Sequence, residues 1–304
     1  MINRLNAIIP DERVLADEPM SRHTSFKIGG PAKALVIVNN EEELASVLKL
    51  MNEEQAEHIL VGNGSNFLVS DEGYPGIVIK LGGDFESVTR DEEDPLLVTA
   101  GGAKLLSAVS SFLIEQGLAG FEFASGIPGS IGGAMFMNAG AYGGEMKDIV
   151  EKVRLMTPDG SEIFERSNEE MGFGYRNSAI QEDGSIVLSA SFRLSEDDPA
   201  EITVRVLELQ QKRNSKQPVN YPSAGSTFKR PVGGYAAALI DEAGLRGYRV
   251  GDAMVSDKHT GFVVNVGNAS CEDVLSVMRH VREVVKEKSG IELEPEVRLI
   301  NCAL

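Results

Sequence analysis

The chain has 304 residues, 42% of them apolar, which is enough for two or three domains with sizeable cores and excludes global disorder. Twenty-nine basic against 46 acidic residues give a net charge of −17, which disfavours a general nucleic-acid binder because neutralising phosphates requires a basic footprint. The N-terminal segment MINRLNAIIPDERVLADE has one short apolar run and then charges, so it does not read as a signal peptide, and a cytoplasmic protein without membrane insertion is expected.

In chain order, ALVIV (34–38) reads as a strand leading to Asn40, an N-cap with Glu43 three residues on, and Leu44, Val47, Leu48 and Met51 then recur at helical spacing. HILVG (58–62) and IVIKL (77–81) are strand-like, with NGSNFLVSDEGYPG read as the loop between them. DEEDP (91–95) predicts a turn before the strand LLVTAG (96–101), and a helix follows with Leu105, Val109, Phe112 and Leu113 on one face. VRLMTPDGSEIFER (153–166) reads as a hairpin about Pro158-Asp159-Gly160, and SIVLSASFRL (185–194) as another strand. Asp198-Pro199 opens a helix to about Arg213.

The Pro-, Gly- and Ser-rich run from Gln217 to Gly234 marks a domain boundary. Beyond it, Ser270 and Asp273 cap a helix with Val274, Met278, Val281 and Val285 inward and Gly290 at its end. IELEPEVRLIN (291–301) is strand-like, interrupted by Pro295. Cys271 and Cys302 lack metal-ligand spacing and read as reduced structural thiols, and no metal site is expected. The pattern is mixed α and β in at least two domains.

Two stretches stand out for chemistry. VGNGSNFLVSD (61–71) sets Gly-Asn-Gly-Ser-Asn directly after a strand, where Gly62 and Gly64 permit close backbone approach and an anion-binding concavity of N–H groups. It matches neither the P-loop nor the Rossmann fingerprint, and an ordinary turn stays open as its reading. FASGIPGSIGGAMFMNAGAYGG (123–144) carries no charge and seven glycines in 22 residues, too many for a stable membrane span of the same length. Together the two could cradle a pyrophosphate, with Ile127, Ile131, Met135 and Phe136 lining a flat organic ligand.

Further along, FGYRNSA (173–179) isolates Arg176 between Tyr175 and Asn177, fit either to clamp a carboxylate or to make a surface ion pair. YPSAGSTFKRP (221–231) offers Ser223, Ser226 and Thr227, yet no GxSxG elbow or Ser–His–acid order accompanies them, so a nucleophilic serine is disfavoured. VSDKHTGFVVN (255–265) brings Lys258 and His259 to a strand entry, where they could serve phosphates. Between Arg205 and Thr260 nine Lys/Arg face five Asp/Glu, a net of +4 that leaves −21 for the rest and suits an anionic small molecule.

Taken in order, HTSFKIGGPA, GNGSNFLVSD, GIPGSIGGAMFMNAGAYGGE, YRNS, PSAGSTFKRP, AGLRGYRVGDAMVSDKHTGFVVN and LEPEVRLI closely resemble the UDP-N-acetylenolpyruvoylglucosamine reductases (MurB), from about residue 20 to 301. The short span between YRNS and PSAGS is similar to the compact type II branch. The resemblance implies an α+β fold: an FAD-binding domain of the vanillyl-alcohol-oxidase (PCMH) type over 1–213, with subdomains at about 1–85 and 86–213. A smaller α+β substrate-binding domain over 214–304 would follow, its last strand (293–302) packing back on the FAD domain.

It also implies non-covalent FAD, NADPH as reductant, and a small-molecule nucleotide-sugar substrate used in peptidoglycan precursor synthesis. Matched by motif, FAD would be held by Gly62, Asn63, Gly64, Ser65 and Asn66 from the first loop. From the second it would be held by Ser125, Gly126, Pro128, Gly129, Ser130, Gly132, Gly133, Asn138, Gly140 and Ala141, and by Arg213. Arg176, Ser226 and Glu296 would be catalytic, and Tyr175, Lys216, Lys229, Lys258 and His259 would meet the substrate. Arg230 stands where some relatives carry Asn.

The chemistry suits that trio. An enol ether conjugated to a carboxylate accepts hydride at its CH₂ carbon and builds charge on the α-carbon and carboxylate, which a fixed cation or neutral donor must stabilise. Arg176 supplies the charge, Glu296 a hydrogen bond if kept protonated, and Ser226 the final proton to a strongly basic carbon. Another FAD enzyme, such as a sugar or lactone oxidase, and a non-catalytic nucleotide-sugar binder are the competing readings.

Overall fold

The computed structural model describes residues 1–304. The residues gather into two compact units: unit 1 holds 1–16, 35–63 and 77–213, and unit 2 holds 17–34, 64–76 and 214–304. The first five strands are β1 (Val14–Pro19), β2 (Pro31–Val38), β3 (His58–Leu60), β4 (Phe67–Val69) and β5 (Tyr74–Leu81), and one sheet runs β1-β2-β5-β3.

In unit 1, α1 (Glu41–Glu53) starts where the spacing predicts, the Asn40 side chain accepting the Glu43 N–H at 2.9 Å. Three glutamates in its first turn meet the positive end of the helix dipole, and Leu44, Val47, Leu48 and Met51 are buried. Five further strands, β6 (Val88–Arg90), β7 (Leu97–Gly101), β8 (Val150–Met156), β9 (Ile163–Ser167) and β10 (Ile186–Arg193), form an antiparallel sheet in the order β9-β8-β10-β7-β6. Two helices, α2 (Leu106–Glu115) and α3 (Ile131–Met137), contribute Leu106, Val109, Leu113, Ile131, Ala134 and Met135 to the same core as Val153, Leu155, Val187 and Phe192 of that sheet. Phe121 meets Phe192 edge-on at 5.5 Å. A long helix, α4 (Pro199–Lys216), opens with Asp198 accepting the Ala200 N–H at 2.8 Å.

Unit 2 contains α5 (Ala236–Glu242), the antiparallel strands β11 (Arg249–Val250), β12 (Ala253–Val255) and β13 (Val263–Asn265), then α6 (Cys271–Ser289) and β14 (Arg298–Ile300). The capping box of α6 is complete: Asp273 N–H donates to Ser270 Oγ and Ser270 N–H to Asp273 Oδ2, each at 3.0 Å, and Gly290 closes the helix at φ +72°. Val274, Met278, Val281 and Val285 pack inward as their spacing requires, joined by Phe26, Ile28 and Leu68. β14 pairs in parallel with β4, setting Arg298 opposite Phe67 and Ile300 opposite Val69.

Four expectations change. The stretch read as the loop NGSNFLVSDEGYPG contains β4, a strand whose partner comes from the far end of the chain. Leu105 is 42% exposed at the N-cap of α2, and Leu106 takes the inward position because the helix begins one residue later. The glycine-rich stretch is a helix over 131–137, and Ile131 and Met135, expected to line a ligand, are wholly buried in the core of unit 1. IELEPEVRLIN becomes a ladder strand only at Arg298; before it, Pro295 makes a single bridge to Phe228.

Candidate active site

In unit 1 the two glycine-rich stretches meet closely. A Cβ on Gly62 would lie 2.4 Å from Ser130 Oγ, and Asn63 Nδ2 donates to the Pro128 carbonyl at 2.9 Å, so the two glycine-rich stretches adjoin. Ser130 caps α3, and Ser125 Oγ donates to the Glu122 carbonyl at 2.8 Å, holding the preceding turn. The amides entering α3 are already engaged: Ile131 N–H donates to Lys104 O at 2.9 Å and Gly132 N–H to Gly102 O at 2.8 Å. A Cβ on Gly132 would stand 3.1 Å from Gly102 O, so this glycine serves packing against the backbone of residue 102. Gly129 N–H likewise donates locally, to Ile127 O at 2.9 Å.

Arg213 of α4 reaches the same place, its Cδ 3.2 Å from where a Gly126 Cβ would be. Burial pushes the Arg213 guanidinium pKa down, with the Tyr142 phenol opposing. A guanidinium stays charged under such a penalty, and a desolvated cation of this kind favours an anionic or electron-rich neighbour. Gly140 and Ala141 belong to a short hairpin, Ala141 pairing with Gly144 and Gly140 with Glu145. A Cβ on Gly140 would meet Glu145 Cγ at 2.7 Å.

The Arg176 turn is a two-residue hairpin. Gly174 N–H donates to Asn177 O at 3.0 Å and Asn177 N–H returns to Gly174 O at 3.3 Å. Arg176 itself is left-handed, φ +54°, a conformation that costs a non-glycine residue about 1–2 kcal/mol and persists where the surroundings over-determine it. Its guanidinium carbon lies 5.3 Å from the ring centre of Tyr175, which is exposed. Lys147 holds the Glu145 carboxyl below its usual range, with a smaller contribution from Arg176.

Unit 2 brings the PSAGSTFKRP and LEPEV segments together. Glu296 N–H donates to Thr227 O at 2.9 Å, and Lys229 N–H to Glu294 O at 2.9 Å. Thr227 is buried; its N–H donates to Gly261 O at 2.8 Å, and its Oγ1 accepts the Val263 N–H at 2.9 Å. Asn66 Nδ2 donates to the Glu296 carbonyl at 3.1 Å, and Arg298 N–H to Asn66 O at 2.9 Å. Gly64 is required here: at φ +63° a Cβ would fall 1.8 Å from the His23 carbonyl oxygen. Ser25 Oγ donates to the Ser223 carbonyl at 2.6 Å. His23 and Ser25, both from the stretch HTSFKIGG, thus adjoin Gly64 and Ser223.

The residues matched to the substrate are spread through both units. Lys258 Nζ donates to Asn214 O at 2.5 Å. His259 is half-buried beside Phe262, its pKa lowered by burial, and its Nδ1 accepts the Gly261 N–H at 3.2 Å. Lys229 Nζ reaches Glu294 at 3.4 Å, and Lys216, the last residue of α4, is exposed. Arg230 lies over the Tyr235 ring at 4.4 Å. Tyr175 and Arg176 are in unit 1, whereas Ser226, Glu296, Lys216, Lys229, Lys258 and His259 are in unit 2. The first loop divides, with Gly62 and Asn63 in unit 1 and Gly64, Ser65 and Asn66 in unit 2.

Residues 32–164 match a family described as FAD binding domain, and residues 217–300 match the UDP-N-acetylenolpyruvoylglucosamine reductase C-terminal domain. A UDP-N-acetylenolpyruvoylglucosamine reductase of Lachnoclostridium phytofermentans is 50% identical over 303 residues, 99% of this chain and 97% of that protein. The chain belongs to this family. The reductase of Clostridioides difficile is likewise 50% identical, over 300 residues covering 99% of this chain and 97% of its own. The crystal structure of the reductase from Thermus caldophilus aligns with a TM-score of 0.79 at 38% identity, covering 93% of this chain and 97% of that one. The fold is therefore that of the reductase family, α+β, with an FAD-binding domain and a C-terminal domain.

Proposed function

We infer that this chain is an FAD-dependent oxidoreductase that converts UDP-N-acetyl-enolpyruvoylglucosamine to UDP-N-acetylmuramate, with NADPH as reductant, in peptidoglycan precursor synthesis. The observation that carries the reading is the 50% identity to a reductase of that name over 99% of the chain. The residues of unit 1 fit the cofactor: Gly62 closes on Ser130 where any side chain would intrude, and Arg213 is a desolvated cation beside Gly126. When bound, FAD supplies two-electron chemistry between NADPH and the substrate double bond.

The rest falls to the chain's own side chains. Gly62, Asn63, Ser125, Gly126 and Ser130 would bind the dinucleotide by backbone and hydroxyl contact. Arg176 would stabilise negative charge as it develops on the substrate carboxylate and α-carbon. Glu296, whose backbone the Thr227 carbonyl and the Asn66 amide fix, would donate to the same carboxylate when protonated. Ser226 would hand its proton to the α-carbon, a general acid without need of a histidine because the carbon is so basic. Lys258, His259 and Lys216 would meet the anionic nucleotide sugar.

The division into an FAD-binding domain (1–213) and a substrate domain (214–304) belongs to the same reading and is supported by the two matched segments, 32–164 and 217–300. So does a cytoplasmic setting, which is supported by two free cysteines. No helix is long and apolar enough to cross a membrane.

The test is optical. Purified protein should be yellow, bleach with NADPH under anaerobic conditions, and recover colour on addition of the enolpyruvyl nucleotide sugar. Recovery with oxygen alone identifies an oxidase, and colourless protein that still binds the nucleotide sugar identifies a binding protein.

A further inference from the structure

We propose that Asn138 and Gln181 are positioning residues for Arg176, their side-chain amides tying the left-handed Arg176 turn to the C-terminal end of α3. The proposal rests on the reading in which Arg176 stabilises charge on the substrate.

The last carbonyls of a helix have no partner within it and must find one elsewhere. At the end of α3, Phe136 O accepts from Ser178 Oγ at 2.8 Å and from Gln181 Nε2 at 2.6 Å. The second amide hydrogen of Gln181 goes to Arg176 O at 3.0 Å. One primary amide thus bridges the end of α3 and the carbonyl of Arg176.

Asn138, the residue that follows α3, holds the other side of the turn. It adopts φ +41° and is 1% exposed. Its Nδ2 donates to Gly174 O at 3.0 Å and to Glu145 Oε2 at 2.9 Å, while its Oδ1 accepts the Lys147 N–H at 3.0 Å. Both amide hydrogens are therefore engaged inside unit 1, which makes the side chain a strut and not a donor to the cofactor. The Gly174 and Arg176 carbonyls flank Tyr175, so the two amides together hold the turn whose left-handed residue is Arg176. Without them a non-glycine residue at φ +54° has an incentive to relax, and the guanidinium turns with its backbone. A displacement of about 1 Å at a reacting group is enough for a rate loss on the order of 10²-fold.

The experiment uses the full-length FAD-loaded enzyme. Gln181 is exposed, so Gln181→Ala and Gln181→Glu should fold; the carboxylate of the latter cannot donate to either carbonyl. Both are expected to keep FAD affinity and NADPH-driven bleaching within about twofold, and to slow reoxidation by the enolpyruvyl substrate roughly tenfold or more. Amide exchange at Asn177 should quicken in parallel. Asn138→Ala should give the same split between half-reactions, with a lower Tm. In an Arg176→Ala background, Gln181→Ala should add nothing further, because residues that act as a unit are non-additive. Loss of the same factor in both backgrounds, unchanged reoxidation in Gln181→Ala, or unchanged exchange at Asn177 overturns the proposal. Reoxidation at the parent rate in Arg176→Ala alone overturns the reading of Arg176, and the proposal with it.

Discussion

The backbone N–H of Glu296 donates to the carbonyl oxygen of Thr227 at 2.9 Å, and that bond sets Glu296 beside the residue that follows Ser226. The serine proposed as proton donor and the carboxyl proposed to stabilise charge thereby lie on neighbouring stretches of one unit. If Ser226 delivers the proton, Ser226→Ala should leave NADPH-driven bleaching within about twofold and slow substrate-driven reoxidation by roughly 10²–10⁴. Glu296→Gln should also harm reoxidation, and by more than it weakens substrate binding. Anaerobic stopped-flow absorbance separates the two halves; equal impairment of both by Ser226→Ala removes the serine from proton delivery.

Thr227 ties this arrangement to β13. Its Oγ1 accepts the Val263 N–H at 2.9 Å in a buried place, so Thr227→Val keeps the shape and leaves that amide unpaired. A loss of about 1–3 kcal/mol is expected from urea unfolding, whereas Thr227→Ser, which keeps the acceptor, should lose less. Equal losses would show that the methyl group matters as much as the hydroxyl at this position, and a larger loss in Thr227→Ser would show that the bond to Val263 is not what counts.

Two glycines of unit 2 share a left-handed backbone and differ in their surroundings. Gly64, at φ +63°, would place a Cβ 1.8 Å from His23 O, while Gly225, at φ +75°, has nothing within 4 Å of the same point. Gly225→Ala should therefore show only the conformational penalty, about 1–2 kcal/mol. Gly64→Ala must also push the backbone apart, and a loss of about 3 kcal/mol or more is expected. Urea titrations of the pair decide it, and similar midpoints would mean that the approach to His23 is readily relieved.

What the sequence disclosed followed the range of the interactions. The caps of α6 and α1 were legible because Ser270 with Asp273, and Asn40 with Glu43, act within three residues. β4 was not, because Phe67–Val69 sits among Gly, Ser and Asn, and the strand it pairs with lies at the far end of the chain. α3 was hidden for a different reason: glycine-rich IGGAMFM has weak helical propensity, and its helix is held by Lys104 and Gly102 carbonyls and by burial of Ile131 and Met135. Arg176 could be singled out from its uncharged neighbours, but its left-handed turn and the two amides that hold it are products of tertiary contact.

The Arg13–Glu43 pair offers a test of stability against pH. Arg13 Nη1 and Nη2 donate to the two Glu43 carboxylate oxygens at 2.7 Å each, and Asn39 N–H donates to Oε2 at 2.7 Å. The side chains are 18% and 17% exposed, so solvent screens the pair little. Hydrogen bonding to Arg13 is the main cause that holds the Glu43 carboxyl below its ordinary 4.5, against the opposing effect of burial. A carboxyl whose pKa is lower folded than unfolded stabilises fully above the unfolded value, and the gain is lost as pH falls through the folded one. Glu43→Gln should then cost about 1–3 kcal/mol at pH 7, since it leaves the mostly buried Arg13 without its counter-charge. The gap between parent and variant should narrow below the ordinary 4.5 as Glu43 is protonated in the parent. Urea unfolding of both proteins at neutral pH and near pH 3.5 measures the difference, and a gap that stays constant across that range would show that the charge of Glu43 is not what stabilises α1 against Arg13.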